Sequence, residues 1–281
     1  MQKRLRLEDP LTLLESEPVS SPEGSCHDSD DDLVLSEVHI HPTNGRVDGR
    51  MITSVFHLNS TAQDLNQDPG IEPESAEDTF WDYAVDIQHA MGTTLGGVGS
   101  QVWMGCFLLV DWMVSIKDEL SGSVALELGA GTGLASIALR LATQLDKIFC
   151  TDYGEEVLSN CKQNVSRNSR PLCSEQQTSH RLDEHILVRK YNWLMDDPRS
   201  PTDGPLDQFN WTAEECEEWR SKGAFVFGAD VVYDDSLTDA LIESLEKLLL
   251  EPLPESHPRH AVGRVAYLSM EKRYLSNTPL P

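Results

Sequence analysis

Apolar positions along residues 81–281 change their period in a regular way. Five short runs of mostly apolar residues have the length of buried strands, and the segments between them repeat apolar residues at the spacing of amphipathic helices. Strands that alternate with helices predict a doubly wound α/β domain, in which right-handed crossovers make the sheet mostly parallel. The strands are predicted within residues 123–130, 146–152, 185–193, 224–235 and 263–273.

The first 80 residues lack this alternation. Residues 1–32 are acidic and poor in aromatic side chains, so they are predicted to be a disordered acidic tail. Residues 33–80 are predicted to form a small β-rich accessory segment and a linker, because two β-rich runs flank Asn44-Gly45, a dipeptide suited to a hairpin turn. The α/β domain is predicted to occupy residues 81–281, where a strand, a glycine-rich loop (GTTLGGVGS) and a helix around Trp103 precede the sheet.

Composition narrows the classes of partner. The net charge is -25 over 281 residues, and such a surface repels phosphate backbones and attracts cations. Direct nucleic-acid binding is therefore not expected, and a Lys/Arg-rich protein substrate is favoured, although acidity that only solubilises a surface gives the same composition. A helix predicted at TAEECEEW, with Thr212 and Glu215 spaced as a capping box, either adds an acidic edge for such a substrate or is simply solvated.

Membrane and metal binding are not expected. No apolar run approaches the ~20 residues of a membrane-spanning helix. The six cysteines contain no C-x-x-C pair, and no histidine lies at zinc-ligand spacing from them, so no metal site is predicted.

Ligands of doubly wound sheets bind at the carboxyl ends of the strands, and the first such end is a glycine-rich turn. It reads Glu127-Leu128-Gly129-Ala130-Gly131-Thr132-Gly133, and glycines there let the backbone turn sharply and approach a ligand closely. The G-x-G-x-G spacing after an acidic residue is typical of S-adenosylmethionine sites, whereas a nicotinamide-binding turn has glycine at the position of Leu134. From this turn alone, a dinucleotide and a turn without any ligand both stay open.

The next three strand ends carry further candidate residues. Asp152 can accept both hydroxyls of a ribose, or it can cap the helix that follows. Trp193 can pack on an adenine ring, or it can belong to the core. After the fourth strand, Ala229 leaves room for a ligand, Asp230 lies where a transferred group is expected, and Tyr233 follows three residues later.

Together these motifs resemble the seven-strand S-adenosylmethionine-dependent methyltransferases of the lysine-directed family, whose D-x-x-Y signature is matched by Asp230 and Tyr233. The resemblance also rests on VLSEVHI, GSQVWMGCFLLVDW, ALELGAGTGLASI, CTDYG, NWL and ADVVYDDSLTDA. It implies a Rossmann-like methyltransferase fold in which Asp230 and Tyr233 face the target amine. It implies a cofactor site for S-adenosylmethionine that is lined by Trp103, Glu127, Gly129, Ala130, Gly131, Asp152, Trp193 and Ala229.

The resemblance also implies a protein-lysine N-methyltransferase that acts on a basic, nucleic-acid-associated protein in the nucleus, with the cytoplasm as a second location. Methylation of a small-molecule amine and a non-catalytic interaction protein stay open as alternatives. The sequence departs from the pattern in two respects: Asn192 stands where a close relative has aspartate, and, more importantly, the family continues through a sixth and a seventh strand. Those two strands are not found in residues 81–281, so we expect an incomplete sheet with an exposed edge.

Overall fold

The structure is a computed structural model that describes residues 4–7, 51–59, 82–169, 181–195, 197 and 207–271. The strands in these residues are β1 (Arg4–Leu7), β2 (Met51–Asn59), β3 (Asp82–Ala90), β4 (Val124–Leu128), β5 (Lys147–Asp152), β6 (Ile186–Lys190), β7 (Gly223–Ala229) and β8 (Val265–Ser269). The helices are α1 (Met104–Ser115), α2 (Lys117–Leu120), α3 (Leu134–Ala142), α4 (Glu155–Asn168), α5 (Leu182–His185), α6 (Ala213–Lys222) and α7 (Asp235–Leu250), with a 3-10 helix at Leu95–Ser100.

Five strands form a parallel sheet in the order β6-β5-β4-β7-β8. Each predicted strand segment contains one of them, so the prediction of a doubly wound parallel sheet is confirmed. The central strand β4 is buried along its whole length, as expected when helices cover both faces of a parallel sheet. Its alternate residues enter different cores: Ala125 packs on the side of α1, α3 and α4, and Leu126 packs on the side of α6 and α7.

The other three strands form an antiparallel sheet in the order β1-β2-β3. Strand β2 pairs with β3 along nine residues, and its other edge pairs with β1. Phe56 of β2 and Val85 of β3 are fully buried in the same core as the parallel sheet. The accessory segment and the α/β domain therefore share one core, and β3, at the start of the predicted domain, belongs to the accessory sheet.

Strand β1 corrects one prediction. Arg4–Leu7 lies in the segment that was predicted to be a disordered tail, and for these four residues that prediction is wrong, since they pair with residues 56–59 of β2. A strand edge offers main-chain hydrogen bonds that do not depend on side-chain composition, which is why composition did not indicate it. The rest of the predicted tail and Asn44-Gly45 of the predicted hairpin lie outside the described residues.

Asparagines of α4 join the two sheets. At the outer edge of β3, the Asn168 side-chain amide binds both the N–H and the C=O of Asp86, each at 2.9 Å. One turn earlier, the Asn164 amide binds the N–H and the C=O of Gln88 at 2.8 and 3.0 Å, and Asn160 adds a bond to the same C=O. These amides take the place of a neighbouring strand and hold the antiparallel sheet on α4.

Candidate active site

A cavity of about 650 Å³ opens where β4, β5, β6 and β7 end. Its position is the one expected for ligands of doubly wound sheets, and its volume falls in the range of ~300–1,000 Å³ found for small-molecule sites. The structure brings all the predicted site residues together in its wall, and their roles stay predictions. These wall residues are Trp103, Glu127, Gly129, Ala130, Gly131, Asp152, Trp193, Ala229, Asp230 and Tyr233.

The glycine-rich turn forms the floor of the cavity. Gly129, Gly131 and Gly133 all have a left-handed backbone, with φ of 63°, 54° and 80°. At Gly131 the N–H donates to Oδ2 of Asp152 at 2.7 Å, and an added Cβ would lie 2.8 Å from the carbonyl oxygen of Gly99. Both the backbone angle and the close approach therefore require glycine at this position.

One stretch of the wall was missed by sequence reasoning. Val98 and Gly99 of the 3-10 helix line the cavity opposite the glycine-rich turn, and Gln101 continues the same wall. The indole Nε1 of Trp103 donates to the carbonyl oxygen of Val98 at 3.0 Å, which ties this wall to the start of α1. The available signal was the glycine-rich loop GTTLGGVGS, because glycines are needed where two backbones meet.

Glu127 is almost fully buried beside the turn. Its carboxyl accepts a hydrogen bond from the Ser136 hydroxyl, and the thiol of Cys150 lies 3.6 Å from the same oxygen. Burial raises the pKa of Glu127 to about 8, so this side chain is mostly protonated at neutral pH. A cationic ligand in the cavity would favour its ionised form.

The pKa values of Asp152 and Tyr233 are both raised by burial. The Asp152 carboxylate accepts N–H bonds from Gly131 at 2.7 Å and Tyr153 at 2.6 Å, but burial raises its pKa to about 6. Burial, and then the carboxylates of Asp152 and Asp234, raise the pKa of the Tyr233 phenol above its usual value of 10.0. Tyr233 is 39% exposed at the cavity mouth and presents a neutral hydroxyl there.

The lining is acidic. It contains the carboxyl groups of Glu127, Asp152, Asp230 and Asp234, and none of the described residues that line it is a lysine, arginine or histidine. A pyrophosphate would meet no cation here, whereas a ligand with a positive charge fits. This weighs against the dinucleotide alternative.

Residues 82–207 match a family that is described as lysine methyltransferase. This stretch of the chain is therefore similar to the lysine methyltransferase family. The family prediction made from the motifs is confirmed. The match contains the glycine-rich turn and Asp152, whereas Asp230 and Tyr233 lie beyond it but line the same cavity.

Three known proteins are similar to this chain in sequence. Human methyltransferase-like protein 22 is 39% identical over 189 residues, which are 67% of this chain and 42% of that protein. The mouse protein of the same name is 37% identical over 194 residues, 68% of this chain and 43% of that protein. Mouse EEF1A lysine methyltransferase 3 is 29% identical over 126 residues, 43% of this chain and 52% of that protein. The chain thus spans less than half the length of the first two relatives.

Trp193 has two sets of contacts in the structure. Its ring lines the cavity beside Gly129, where an added Cβ would lie 3.4 Å from the ring, and it also packs against the core of α6 and α7. The two interpretations of this tryptophan, ligand wall and core residue, therefore describe different parts of one side chain.

The acidic helix α6 does not face this cavity. Its capping box is formed as predicted, with Glu215 N–H donating to Thr212 Oγ1 at 3.2 Å and Thr212 N–H donating to Glu215 at 3.1 Å. Three of its carboxylates pair with basic side chains of this chain: Glu215 with Arg189, Glu217 with Arg220, and Glu218 with Lys147 and Lys222. Because these carboxylates already have cationic partners, the structure favours a structural role over the substrate edge considered from the sequence.

Two kinds of feature are absent from the residues that the structure describes. No helix among them is long and apolar enough to cross a membrane. No group of three or more histidine, cysteine, aspartate and glutamate side chains there is arranged to hold a metal ion.

Proposed function

We propose that this chain transfers a methyl group from S-adenosylmethionine to a lysine side chain of a basic protein. The observation that supports this most is the single cavity at the strand ends, where the glycine-rich turn, Asp152, Asp230 and Tyr233 lie together. The family match to lysine methyltransferases over residues 82–207 supports the same reaction.

The residues present fit S-adenosylmethionine. The backbone of Gly129–Gly131 leaves room for close approach, Asp152 would accept the ribose hydroxyls, and Trp103 and Trp193 would bound the adenosyl group. The acidic lining suits a sulfonium cation. When bound, this cofactor supplies an electrophilic methyl group on sulfur.

The target amine must be neutral to attack that methyl group. A free lysine has a pKa of ~10.4, so its neutral form is disfavoured by ~4.6 kcal/mol at neutral pH. Enclosure of the amine in the cavity lowers that pKa, and the proton leaves to water. Orientation is the larger effect, since holding the reacting atoms in line can contribute ~7–11 kcal/mol. In this scheme Asp230 helps to orient the amine from the cavity wall, and Tyr233 excludes water at the mouth.

The charge of the protein supports a basic protein substrate. The net charge is -25, and the exposed Asp235 follows Tyr233 and Asp234 at the cavity mouth. A lysine within a Lys/Arg-rich segment would be attracted to this side of the molecule, and nucleic acid would be repelled. From the resemblance to lysine-directed methyltransferases, we further propose that the substrate is a nuclear protein associated with nucleic acid.

The test is incubation of the purified chain with radiolabelled S-adenosylmethionine and a nuclear protein extract, followed by mass spectrometry of the labelled bands. We expect label on lysine side chains of basic proteins. It should be reduced by Tyr233→Ala, which removes the ring at the cavity mouth, and unchanged by Val232→Ala, an exposed neighbour that does not line the cavity. Label in the small-molecule fraction instead would favour a metabolite methyltransferase. Cofactor binding without any transfer would favour a non-catalytic interaction protein.

A further inference from the structure

The carboxylate of Asp230 is held by main-chain groups from two other parts of the fold. Its Oδ2 accepts the N–H of Gly105 at 2.6 Å, in the first turn of α1, and its Oδ1 accepts the N–H of Glu271 at 2.7 Å, just after β8. The N–H of Asp230 itself donates to the carbonyl oxygen of Ser269 at 2.8 Å. Asp230 thus joins the ends of β7 and β8 to the start of α1.

The backbone of Asp230 is strained in this arrangement. Its φ is 53°, which is the left-handed region, and it is the one residue other than glycine with a positive φ in the part of the chain that the structure describes. The residue is buried, with only 8% of its surface exposed. Such a conformation persists where the surrounding contacts determine it.

Ser269 completes the arrangement from the other side. Its hydroxyl donates to the carbonyl oxygen of Gly105 at 2.6 Å, so the N–H of Gly105 is bound by Asp230 and its C=O by Ser269. Ser269 is buried and is not part of the cavity wall. Any effect of Ser269 on a ligand must therefore pass through its neighbours.

Gly105 allows the close approach. A Cβ at this position would lie 2.5 Å from Oδ2 of Asp230, which no real side chain tolerates. Helix α1 can therefore bring its N-terminus onto the carboxylate only because this residue is glycine, and a helix N-terminus is favourable for a negative charge.

The start of α1 also forms part of the cofactor wall. Trp103 immediately precedes the helix and Cys106 is in its first turn, and both line the cavity. A displacement of the first turn would move these side chains relative to the glycine-rich turn. The position of Gly105 and the shape of the cavity are therefore coupled.

We infer that Ser269, Gly105 and Asp230 form a latch that positions the Trp103 side of the cofactor cavity, and that Ser269 is a positioning residue for cofactor binding. The inference rests on the proposed function in one respect, because it takes the ligand of this cavity to be S-adenosylmethionine. It adds a role for Asp230 that differs from contact with the amine: the carboxylate fixes α1 at the ends of β7 and β8.

The test uses three variants of the full chain. Ser269→Ala removes the latch hydroxyl, Ser269→Thr restores a hydroxyl, and Ser244→Ala is the matched control, because the Ser244 hydroxyl is buried and has no hydrogen-bond partner among the described residues. Two readouts are needed: the Kd for S-adenosylmethionine by calorimetry, and the amide hydrogen exchange of Gly105 and Glu271. We expect Ser269→Ala to weaken binding about tenfold and to speed exchange at Gly105, with Ser269→Thr close to the wild type and Ser244→Ala unchanged.

Two results would overturn the inference. One is wild-type exchange at Gly105 in Ser269→Ala, which would show that the hydroxyl does not hold the helix. The other is faster exchange with an unchanged Kd, which would leave Ser269 a purely structural role. If the wild-type chain binds no S-adenosylmethionine, the proposed cofactor is wrong, and exchange at Gly105 alone then decides whether the latch exists.

Discussion

Glu127 lies two residues before the first glycine of the turn, and its protonation is set mainly by burial. The sequence indicated an acid at this position, but not that it would be neutral, because neighbours such as Ser136 and Cys150 come from α3 and β5. Burial raises its pKa from 4.5 to about 8. Glu127, which the sequence motif predicts as an acidic residue of the cofactor site, is therefore mostly a neutral carboxylic acid when the cavity holds no cation.

The shifted pKa of Glu127 has a consequence for stability. Between the two pKa values, the folded state keeps a proton on Glu127 that the unfolded state has lost. The stabilisation from this proton is therefore complete below the pKa of the unfolded state, and it is lost as the pH rises through the pKa of the folded state. From this group, the wild-type chain should lose ~3–4 kcal/mol of unfolding free energy between about pH 5 and pH 8, and Glu127→Gln should not. Urea denaturation at both pH values measures the difference.

The control for this prediction is Glu243→Gln, which makes the same chemical change at an exposed position of α7. It should keep the pH dependence of the wild type. The same pH dependence in Glu127→Gln would show that this carboxyl is not buried in its neutral form.

From the raised pKa of Asp152, we expect the binding of S-adenosylmethionine to depend on pH. Burial raises its pKa to about 6, and ribose hydroxyls would donate to the ionised form. Affinity for S-adenosylmethionine should therefore be constant above about pH 7 and fall as the pH decreases through the pKa, approaching tenfold per unit. Calorimetric titrations at several pH values measure this, and Asp152→Asn should bind weakly with no such fall. A constant affinity down to about pH 5 would contradict the assigned role.

In helix α1, helix propensities do not explain why a glycine stands at position 105. Its apolar spacing predicted the helix, but its glycine at position 105 would be classed as a weak point, since alanine is favoured over glycine within helices by ~1 kcal/mol. The structure shows the reason: the Asp230 carboxylate, distant in sequence, occupies the space of a side chain. Contacts between residues so far apart along the chain leave no local signal.

Gly105→Ala should accordingly destabilise the fold, by ~1–3 kcal/mol, because the added methyl group overlaps the carboxylate. The control is Gly96→Ala, where an added Cβ meets nothing within 4 Å. Thermal unfolding of both variants compares them. Equal or greater stability of Gly105→Ala would mean that helix propensity dominates and that the close approach is unimportant.

Helix α4 was predicted from its sequence, but the function of its asparagines was not. Asn160, Asn164 and Asn168 recur every four residues, a polar stripe that usually faces solvent. In the structure they hold the edge of β3, and Asn164 Nδ2 also donates to the carbonyl oxygen of Thr132 in the glycine-rich turn at 3.0 Å. Helix periodicity shows which residues share a face but not which element covers it.

Asn164→Asp tests this stripe with almost no change of shape. It replaces a donor to the carbonyl oxygens of Gln88 and Thr132 by an acceptor in a fully buried position, so the loss of stability should be ~2–4 kcal/mol. Gln163→Glu makes the same change on the exposed face of the same helix and should cost little. Denaturant unfolding measures both, and equal values would show that the asparagine contacts do not hold the sheet.

For the molecule as a whole, the parallel sheet was predictable and the accessory sheet only partly so. Alternating apolar periods identify buried strands, and the strand-end rule then brings Glu127, Asp152 and Asp230 to one edge, where the structure also places them. The pairing of β1 with β2 joins residues about 50 positions apart through main-chain groups, which side-chain patterns do not record. The pairing of α6 carboxylates within the chain was likewise invisible, because it depends on the tertiary fold.

Whether the strand ends form a methyl-donor site is decided by titrating S-adenosylmethionine into the purified chain in a calorimeter, with NAD titrated in parallel. We expect one saturable site per chain for S-adenosylmethionine and none for NAD. Gly131→Ala should lose the binding, since a Cβ there meets the Gly99 carbonyl oxygen at 2.8 Å on a backbone with φ of 54°. Absence of binding to the wild-type chain, or saturable binding of NAD in its place, would contradict the assignment of this cavity.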